Sequence, residues 1–279
     1  MQKLKNRVLD KMMQAHLTKA EVDIILEISH YQDESGKIYG VYYKDVCETI
    51  GISYETFYVT IRSLADKGLI KLQKDFRGDW DIIIVDNDFS YPEALKEGYI
   101  STGHDIFYNE DFKTLKANEK LLAMQFLKIG GAGKRYHIGV NLLYEKYAAL
   151  LSVTKRTIQV YLGRLREFFS IGIKDKMYWI TPLVLVFKDN APTDMDNYAE
   201  HLVDVACRRN KAIYSGRGKQ DMMQLVKQYV QELKSKTAQV FLHAVSGSFE
   251  KGNKDIPDKR KWNRELNPKF VHKLIRNEL

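Results

Sequence analysis

An internal repeat is the feature of this 279-residue sequence that most constrains its fold. When the chain is shifted by 101 residues, "GISYETFYVTIRSL" from Gly51 lies over "SVTKRTIQVYLGRL" from Ser152. The apolar positions of the two segments coincide at the spacing of one helical face. A hydroxyl residue suited to helix capping, Ser53 or Thr154, precedes each helix. The sequence therefore predicts two copies of one helical unit.

The similarity extends to both sides of these helices. Upstream, "LTKAEVDIILEIS" from Leu17 resembles "LKANEKLLAMQFL" from Leu115, and Thr18 with Glu21 forms a capping-box pattern. Downstream, "LIKLQKDFRGDWDIIIV" and "IGIKDKMYWITPLVLV" alternate like strands joined by a turn. Each copy predicts helix, turn, helix, tight turn, helix, strand, turn and strand. We call residues 17–88 the first repeat and residues 115–187 the second repeat.

This order of elements resembles the winged helix-turn-helix superfamily, and the segments "SLADKGLIKLQKD" and "VTKRTIQVYLGRLREF" carry the resemblance. It covers around half of the chain and rests on apolar positions rather than on fixed functional residues. The resemblance implies a mainly α fold with small β wings, an α+β class, followed by a helical C-terminal region. One departure is that Phe169 stands where Gly68 closes the first of the two third helices, so the second should end differently.

Composition and turn signals suggest five segments along the chain. They are a first winged-helix domain (1–88), a connector (89–114), a second winged-helix domain (115–190), a helical region (191–250) and a basic tail (251–279).

Finer features are expected inside the connector and the helical region. The connector should contain one short strand around 106–108. A helix beginning at Thr193 or Asp194 should end at Arg208 and Arg209. A longer amphipathic helix over 220–245 should then bury its apolar face inside the protein or use it as a homodimer contact.

The net charge of +8 is unevenly distributed. Residues 1–100 carry 13 Lys/Arg and 17 Asp/Glu, whereas residues 101–190 carry 14 and 8, and residues 191–279 carry 17 and 11. Positive charge is therefore concentrated in the last two thirds of the chain. This distribution favours a polyanionic partner over a basic surface that serves only solubility.

The second repeat is expected to be the main DNA reader. The resemblance implies that its third helix lies in the major groove and that its wing contacts the DNA backbone or the minor groove. Arg suits guanine edges, Gln suits adenine, and a helix N-terminus with hydroxyls suits phosphate. The candidate DNA-binding residues of this repeat are Thr154, Lys155, Arg156, Thr157, Gln159, Arg166, Lys174 and Lys176.

In the first repeat, Phe57, Ile61 and Leu64 should form the buried stripe of the third helix. Glu55 on the outward face reduces its attraction for phosphates, so this repeat is expected to contact DNA less strongly or to mediate dimerisation. Its candidate DNA-binding residues are Ser53, Tyr54, Thr56, Tyr58, Arg62, Lys71, Lys74 and Arg77.

The tail adds a third candidate surface around Trp262. Basic residues interleaved with an aromatic ring suit contact with phosphates and bases, although a solvated basic tail explains the same pattern. The candidates there are Lys259, Arg260, Lys261 and Arg264.

Patterns for membrane insertion are missing from the sequence. The longest apolar run, "WITPLVLVF" from Trp179, has 9 residues, against the roughly 20 that a spanning helix needs. The charged N-terminal stretch lacks the apolar centre of a signal peptide. We expect no membrane partner, and a cytoplasmic, nucleoid-associated protein.

Patterns for catalysis or cofactor binding are missing as well. Only Cys47 and Cys207 occur and the seven histidines show no ligand spacing, which argues against a disulfide framework and a metal site. "GGAGK" from Gly130 and "SGRGK" from Ser215 lack the spacing of a phosphate-binding loop. The sequence predicts neither an enzyme nor a cofactor.

Double-stranded DNA is therefore the expected partner, bound in a sequence-specific way. One hypothesis is a transcriptional regulator. The alternative is a plasmid- or phage-type replication initiator that binds origin repeats, since plasmid initiators resemble this chain in placing two winged helices in tandem. A third reading is a DNA-scaffolding or segregation protein.

Overall fold

The computed structural model describes residues 3–75, 78–130, 135–183, 194–255 and 265–278. The described chain is mainly helical with small antiparallel sheets, which is an α+β class. The helices are α1 (Asn6–Gln14), α2 (Lys19–Ile28), α3 (Tyr43–Ile50), α4 (Tyr54–Asp66), α5 (Glu110–Thr114), α6 (Ala117–Gly130), α7 (Val140–Leu151), α8 (Lys155–Arg164), α9 (Asp194–Asn210), α10 (Gly216–Leu233), α11 (Thr237–Asp255) and α12 (Pro268–Glu278). The strands are β1 (Leu4–Lys5), β2 (Lys37–Tyr42), β3 (Ile70–Asp75), β4 (Asp79–Ile84), β5 (Tyr99–Ile100), β6 (Tyr136–Gly139), β7 (Phe169–Lys174) and β8 (Met177–Pro182).

Each repeat contributes one three-stranded antiparallel sheet, and the two sheets share one strand order. It is β2-β4-β3 in the first repeat and β6-β8-β7 in the second. The hairpins β3-β4 and β7-β8 agree with the alternating sequence. The sequence predicts only a turn before each second helix, however, and there β2 and β6 add a third strand. β2 and β6 each pair with the second strand of the hairpin, and each leads directly into the next helix, α3 or α7.

The connector differs from its prediction. Residues 106–108 belong to a 3-10 helix over His104–Tyr108, not to a strand. The strand of this segment is β5, which pairs with β1 near the start of the chain. Ile106 and Phe107 are buried, so the apolar residues that suggested a strand fill the core from a helical turn.

Local capping explains where the first helix of each repeat, α2 or α6, begins. Thr18 and Glu21 form the predicted capping box: the Thr18 N–H donates to Glu21 at 2.6 Å and the Glu21 N–H donates to the Thr18 hydroxyl at 3.3 Å. In the second repeat the Lys116 N–H donates to Glu119 at 2.7 Å. The same end of the helix is therefore fixed in both repeats.

A buried glutamate also joins the first helix of the first repeat to its third. Lys67 Nζ lies 2.7 and 2.8 Å from the two carboxylate oxygens of Glu21, and the Ser63 hydroxyl donates at 2.7 Å. Burial raises the pKa of Glu21, but the hydrogen bonds from Lys67, Thr18 and Ser63 outweigh burial and leave this pKa below its usual value. Glu21 is therefore held ionised beneath the C-terminal end of α4.

The second repeat makes the equivalent contact with a different cation. Arg164 Nη1 donates to Glu119 at 2.9 Å, and Arg164 Nη2 donates to the Thr114 carbonyl at 3.1 Å. The Glu119 side chain is almost fully buried. The C-terminal ends of α4 and α8 are thus tied down by one glutamate each.

The two third helices end in different ways, as expected. After α4, Gly68 adopts φ +69 before β3 begins. After α8, a 3-10 turn over Leu165–Glu167 leads to Phe168 and then to β7 without a left-handed residue. Phe168 and Phe169 are both buried, so core packing turns the chain where the first repeat uses a glycine.

One hydrophobic core runs through both repeats. The equivalent helices α2 and α6 pack against each other within it, and α1 packs against α6 and α7. Ile24 and Ile25 on α2 and Leu122 and Phe126 on α6 are completely or almost completely buried. The repeats are therefore packed together as one body.

The last four helices, α9 to α12, build a second core. The sequence predicts one helix over 220–245, but a 3-10 turn over Lys234–Lys236 divides it into α10 and α11. Lys234 takes φ +49, and the Thr237 hydroxyl donates to the carbonyls of Lys234 and Tyr229 at 2.7 and 3.3 Å. Because the Thr237 hydroxyl satisfies these two carbonyls, the chain can change direction between α10 and α11. The apolar residues keep their helical spacing in the sequence on both sides of the break.

The sequence predicts that this apolar stripe either packs inside the protein or forms a homodimer contact. The structure shows it packed inside the protein. Met222, Val226, Tyr229 and Phe241 are buried in the second core. The end of the expected basic tail also packs there, because Pro268–Glu278 forms α12 with Val271, Leu274 and Ile275 buried.

Candidate nucleic-acid interface

The N-terminus of α8 is capped and open to solvent. The Thr154 hydroxyl accepts the Thr157 N–H at 3.2 Å, and the two hydroxyls lie 2.9 Å apart. Thr154 is exposed and Thr157 is half-buried. The remaining N–H groups of the first turn lack partners within the helix, so this end favours an anion such as a phosphate.

One face of α8 is free of the core. Ile158, Leu162 and Leu165 are buried, as the helical spacing predicts. The exposed positions on the opposite side are Lys155, Arg156, Gln159, Val160, Gly163 and Arg166. Arg164, between Gly163 and Arg166 in the sequence, instead forms an ion pair with the buried Glu119 and so does not belong to this surface.

Arg166 stands beside a hydrogen-bonded tyrosine pair. The hydroxyls of Tyr144 and Tyr178 lie 2.5 Å apart. Burial and the hydrogen bond to Tyr144 raise the pKa of Tyr178 to about 12, and the positive charge of Arg166 opposes this rise. The charge of Arg166 therefore acts near the turn end of the β7-β8 hairpin, because Tyr178 pairs with Ile173 next to the last pair before the turn.

The tip of the β7-β8 hairpin presents two lysines. Lys174 and Lys176 are exposed, and the two-residue turn consists of Asp175 at φ +53 and Lys176 at φ +59. Two successive positive φ values are typical of a type I′ turn, which favours Asn or Asp followed by Gly. A lysine in the second position is locally unfavourable, yet it places a cation at the hairpin tip.

The corresponding surface of the first repeat is aromatic. The Ser53 hydroxyl accepts the Thr56 N–H at 3.1 Å, so this cap matches that of α8. Tyr54 is 55% exposed and contacts the Tyr43 ring edge-on at 4.9 Å. Tyr58, expected to point outward, is half-buried, because Tyr43 on α3 provides an apolar surface 5.8 Å away.

The remaining first-repeat candidates are spread over the helix and the hairpin. Arg62 and Lys71 are exposed. The side chain of Lys74 and all of Arg77 lie outside the described residues. The tail candidates Lys259, Arg260, Lys261 and Arg264 also lie outside them.

Sequence reasoning missed an ionic junction between the first-repeat sheet and α9. Arg208 Nε donates to Asp79 at 2.7 Å, and Arg209 Nη2 donates to both Asp79 and Asp81 at 2.6 Å. Both aspartate side chains are almost fully buried. The available signals were the Arg-Arg pair that ends α9 and two aspartates that alternate along a strand.

A bulge in β2 completes this junction. Gly40 adopts φ +70, its N–H donates to Asp81 at 3.1 Å and its carbonyl accepts Arg208 Nη2 at 2.9 Å. A Cβ at Gly40 would lie 2.3 Å from the Val205 side chain, so glycine is required for α9 to approach. Next to the bulge, His201 Nε2 lies 2.6 Å from the Tyr39 carbonyl.

An acidic cavity of about 410 Å³ lies between the first repeat, the connector and α9. Burial raises the pKa of Asp45 on its wall. Three of its carboxylates are paired with cations, Asp45 with Arg208 and both Glu200 and Asp204 with Lys219. The carboxylates that line the cavity are Glu27, Asp45, Asp105, Glu200 and Asp204.

Among the residues that the structure describes, no group of three or more His, Cys, Asp and Glu side chains is placed to hold a metal ion. Over the same described ranges, no helix has the length and apolar character needed to cross a lipid bilayer.

Comparison of the chain with known protein families, with curated proteins and with solved structures found no match.

Proposed function

We propose that this protein is a sequence-specific double-stranded DNA-binding protein, built from two winged helix-turn-helix units, that regulates transcription. The observation that carries the proposal is the open face of α8, where Arg156 and Gln159 lie exposed behind a capped helix N-terminus. Arginine and glutamine can each form paired hydrogen bonds with a base edge in the major groove. Cations at the wing tip and Lys155 can hold the flanking phosphates.

The shared architecture of the two repeats supports the winged-helix interpretation. Each places three helices around a three-stranded antiparallel sheet, with the same strand order and with the third helix preceding the hairpin. In that architecture the third helix enters the major groove and the hairpin flanks it. The exposed face of α8 and the lysines at 174 and 176 lie on those two elements.

The electrostatics of the repeats support a division of roles. The α8 surface carries Lys155, Arg156 and Arg166, whereas α4 carries Tyr54 and Glu55 at its exposed start. We therefore assign base reading to the second repeat. The first repeat assists binding or forms a homodimer contact, and the site of action is the nucleoid in the cytoplasm.

A replication initiator that binds origin repeats is the second candidate. The packing of α2 against α6 favours it, because the shared core holds α4 and α8 at a fixed separation. A fixed separation suits a long site with two contact regions. The resemblance to plasmid-type initiators rests on this tandem arrangement.

Selection of bound DNA tests the proposal directly. The full chain is incubated with duplexes that carry a randomised central stretch, and bound molecules are amplified and sequenced. We expect one motif to be enriched, and footprinting on genomic fragments then separates the candidates. Repeated sites beside an origin indicate an initiator, a single site over a promoter indicates a regulator, and enrichment of no motif contradicts sequence-specific binding.

A further inference from the structure

Gly163 lies in the last turn of α8, on its exposed face. It follows Gln159 by four residues and Arg156 by seven, so the three positions line up along the helix. A Cβ built at Gly163 meets no heavy atom within 4 Å. Its φ is not in the left-handed region. Neither packing nor backbone conformation within the protein therefore requires a glycine here.

Glycine is nevertheless unfavourable inside a helix, because it loses more conformational freedom on folding than alanine does. The equivalent residue of α4 is Arg62, so the fold accepts a long side chain at this position. An alanine at 163 should stabilise α8. The reason for the glycine is then to be sought outside the chain.

We infer that Gly163 is the position of closest approach between α8 and the bound DNA, an inference that rests on the proposed function. Without a side chain, the helix backbone can lie directly against the floor of the major groove. This approach would bring Gln159 and Arg156, one and two turns earlier, within hydrogen-bonding reach of base edges. A methyl group at 163 would hold the helix away from the groove and lengthen those contacts.

The test compares Gly163→Ala with Gly216→Ala, a matched variant at an exposed helical glycine of α10 whose added Cβ also meets no neighbour. Thermal unfolding and affinity for the duplex that the unmodified protein selects from the randomised pool are measured for both. We expect Gly163→Ala to raise the melting temperature by about 2 °C. We expect it to weaken DNA binding roughly tenfold, while Gly216→Ala leaves the affinity unchanged.

Either of two results would overturn the inference. A melting temperature lowered by Gly163→Ala would mean that the fold itself needs the glycine. An unchanged affinity would mean that bound DNA does not approach position 163. If Arg156→Ala still abolishes specific binding in these cases, the proposed function stands, whereas failure of the unmodified protein to select any duplex removes both.

Discussion

Lys120 Nζ lies 2.5 Å from Asp23 Oδ1, and both side chains are almost completely buried at the junction of the two repeats. Lys120 belongs to α6 and Asp23 to α2. Burial raises the pKa of Asp23, with the charge of Lys120 opposing the rise, and burial lowers the pKa of Lys120, with Asp23 opposing the fall. Each ion is therefore tolerable in the core only because the other is present.

This pair predicts that removing one charge destabilises the protein and that removing the other charge as well restores most of the loss. Lys120→Met should lower the free energy of unfolding by about 3–5 kcal/mol, because it leaves Asp23 buried without a counter-ion. Adding Asp23→Leu to that variant should restore most of the loss, since an apolar pair needs no desolvation of charge. Urea unfolding of the two variants measures both effects. Equal stability of Lys120→Met and the unmodified protein would show that the pair does not hold the repeats together.

The junction of α9 with the first repeat predicts sensitivity to acid. Burial lowers the pKa of His201 to about 4, although its hydrogen bond to the Tyr39 carbonyl acts in the other direction. The unfolded chain binds a proton near pH 6.5 and the folded chain does so only near pH 4. The contribution of neutral His201 to the free energy of unfolding is therefore fully present above about pH 6.5. It is lost as the pH falls from about 6.5 to about 4, and the loss is on the order of 3 kcal/mol.

Urea unfolding at pH 7 and at pH 4.5 checks this prediction. His201→Gln, which keeps a donor for the Tyr39 carbonyl without a titrating ring, serves as the control and should flatten the difference. An equally steep loss in His201→Gln would assign the acid sensitivity to other groups.

The tip of the β7-β8 hairpin predicts opposite effects on stability and on binding. Lys176→Gly should stabilise the protein by about 1 kcal/mol, because glycine adopts the left-handed conformation of the turn without steric cost. The same change should weaken binding to all duplexes and reduce the slope of log affinity against log salt by about 1, the value of one lost phosphate contact. Thermal unfolding and a salt titration measure the two effects. An unchanged slope would remove Lys176 from the DNA contacts.

Features set by neighbouring residues could be predicted from the sequence. The capping box of Thr18 and Glu21 and the hydroxyl caps Ser53 and Thr154 each depend on a few adjacent residues. The buried stripes of α4 and α8 follow from helical spacing alone. These features fix the elements that carry the candidate interface.

Features set by distant partners could not be predicted. The break at Lys234 lies inside an uninterrupted apolar stripe, so periodicity gives no sign of it. Strand β6 is four residues long and is recognisable only by its pairing with β8. The junction of Arg208 with Asp79 joins residues that are 129 positions apart, and no local pattern specifies that contact.

If the open face of α8 reads DNA sequence, Arg156 and Gln159 must determine which motif is bound. The decisive comparison is between the motif enriched by the unmodified protein and that enriched by the double variant Arg156→Ala with Gln159→Ala. Glu55→Ala, at the position of α4 equivalent to Arg156, is the control, and thermal unfolding confirms that all three proteins are folded. We expect the double variant to enrich no motif while the control enriches the original one. A double variant that selects the same motif with unchanged affinity would show that the open face of α8 is not the reader.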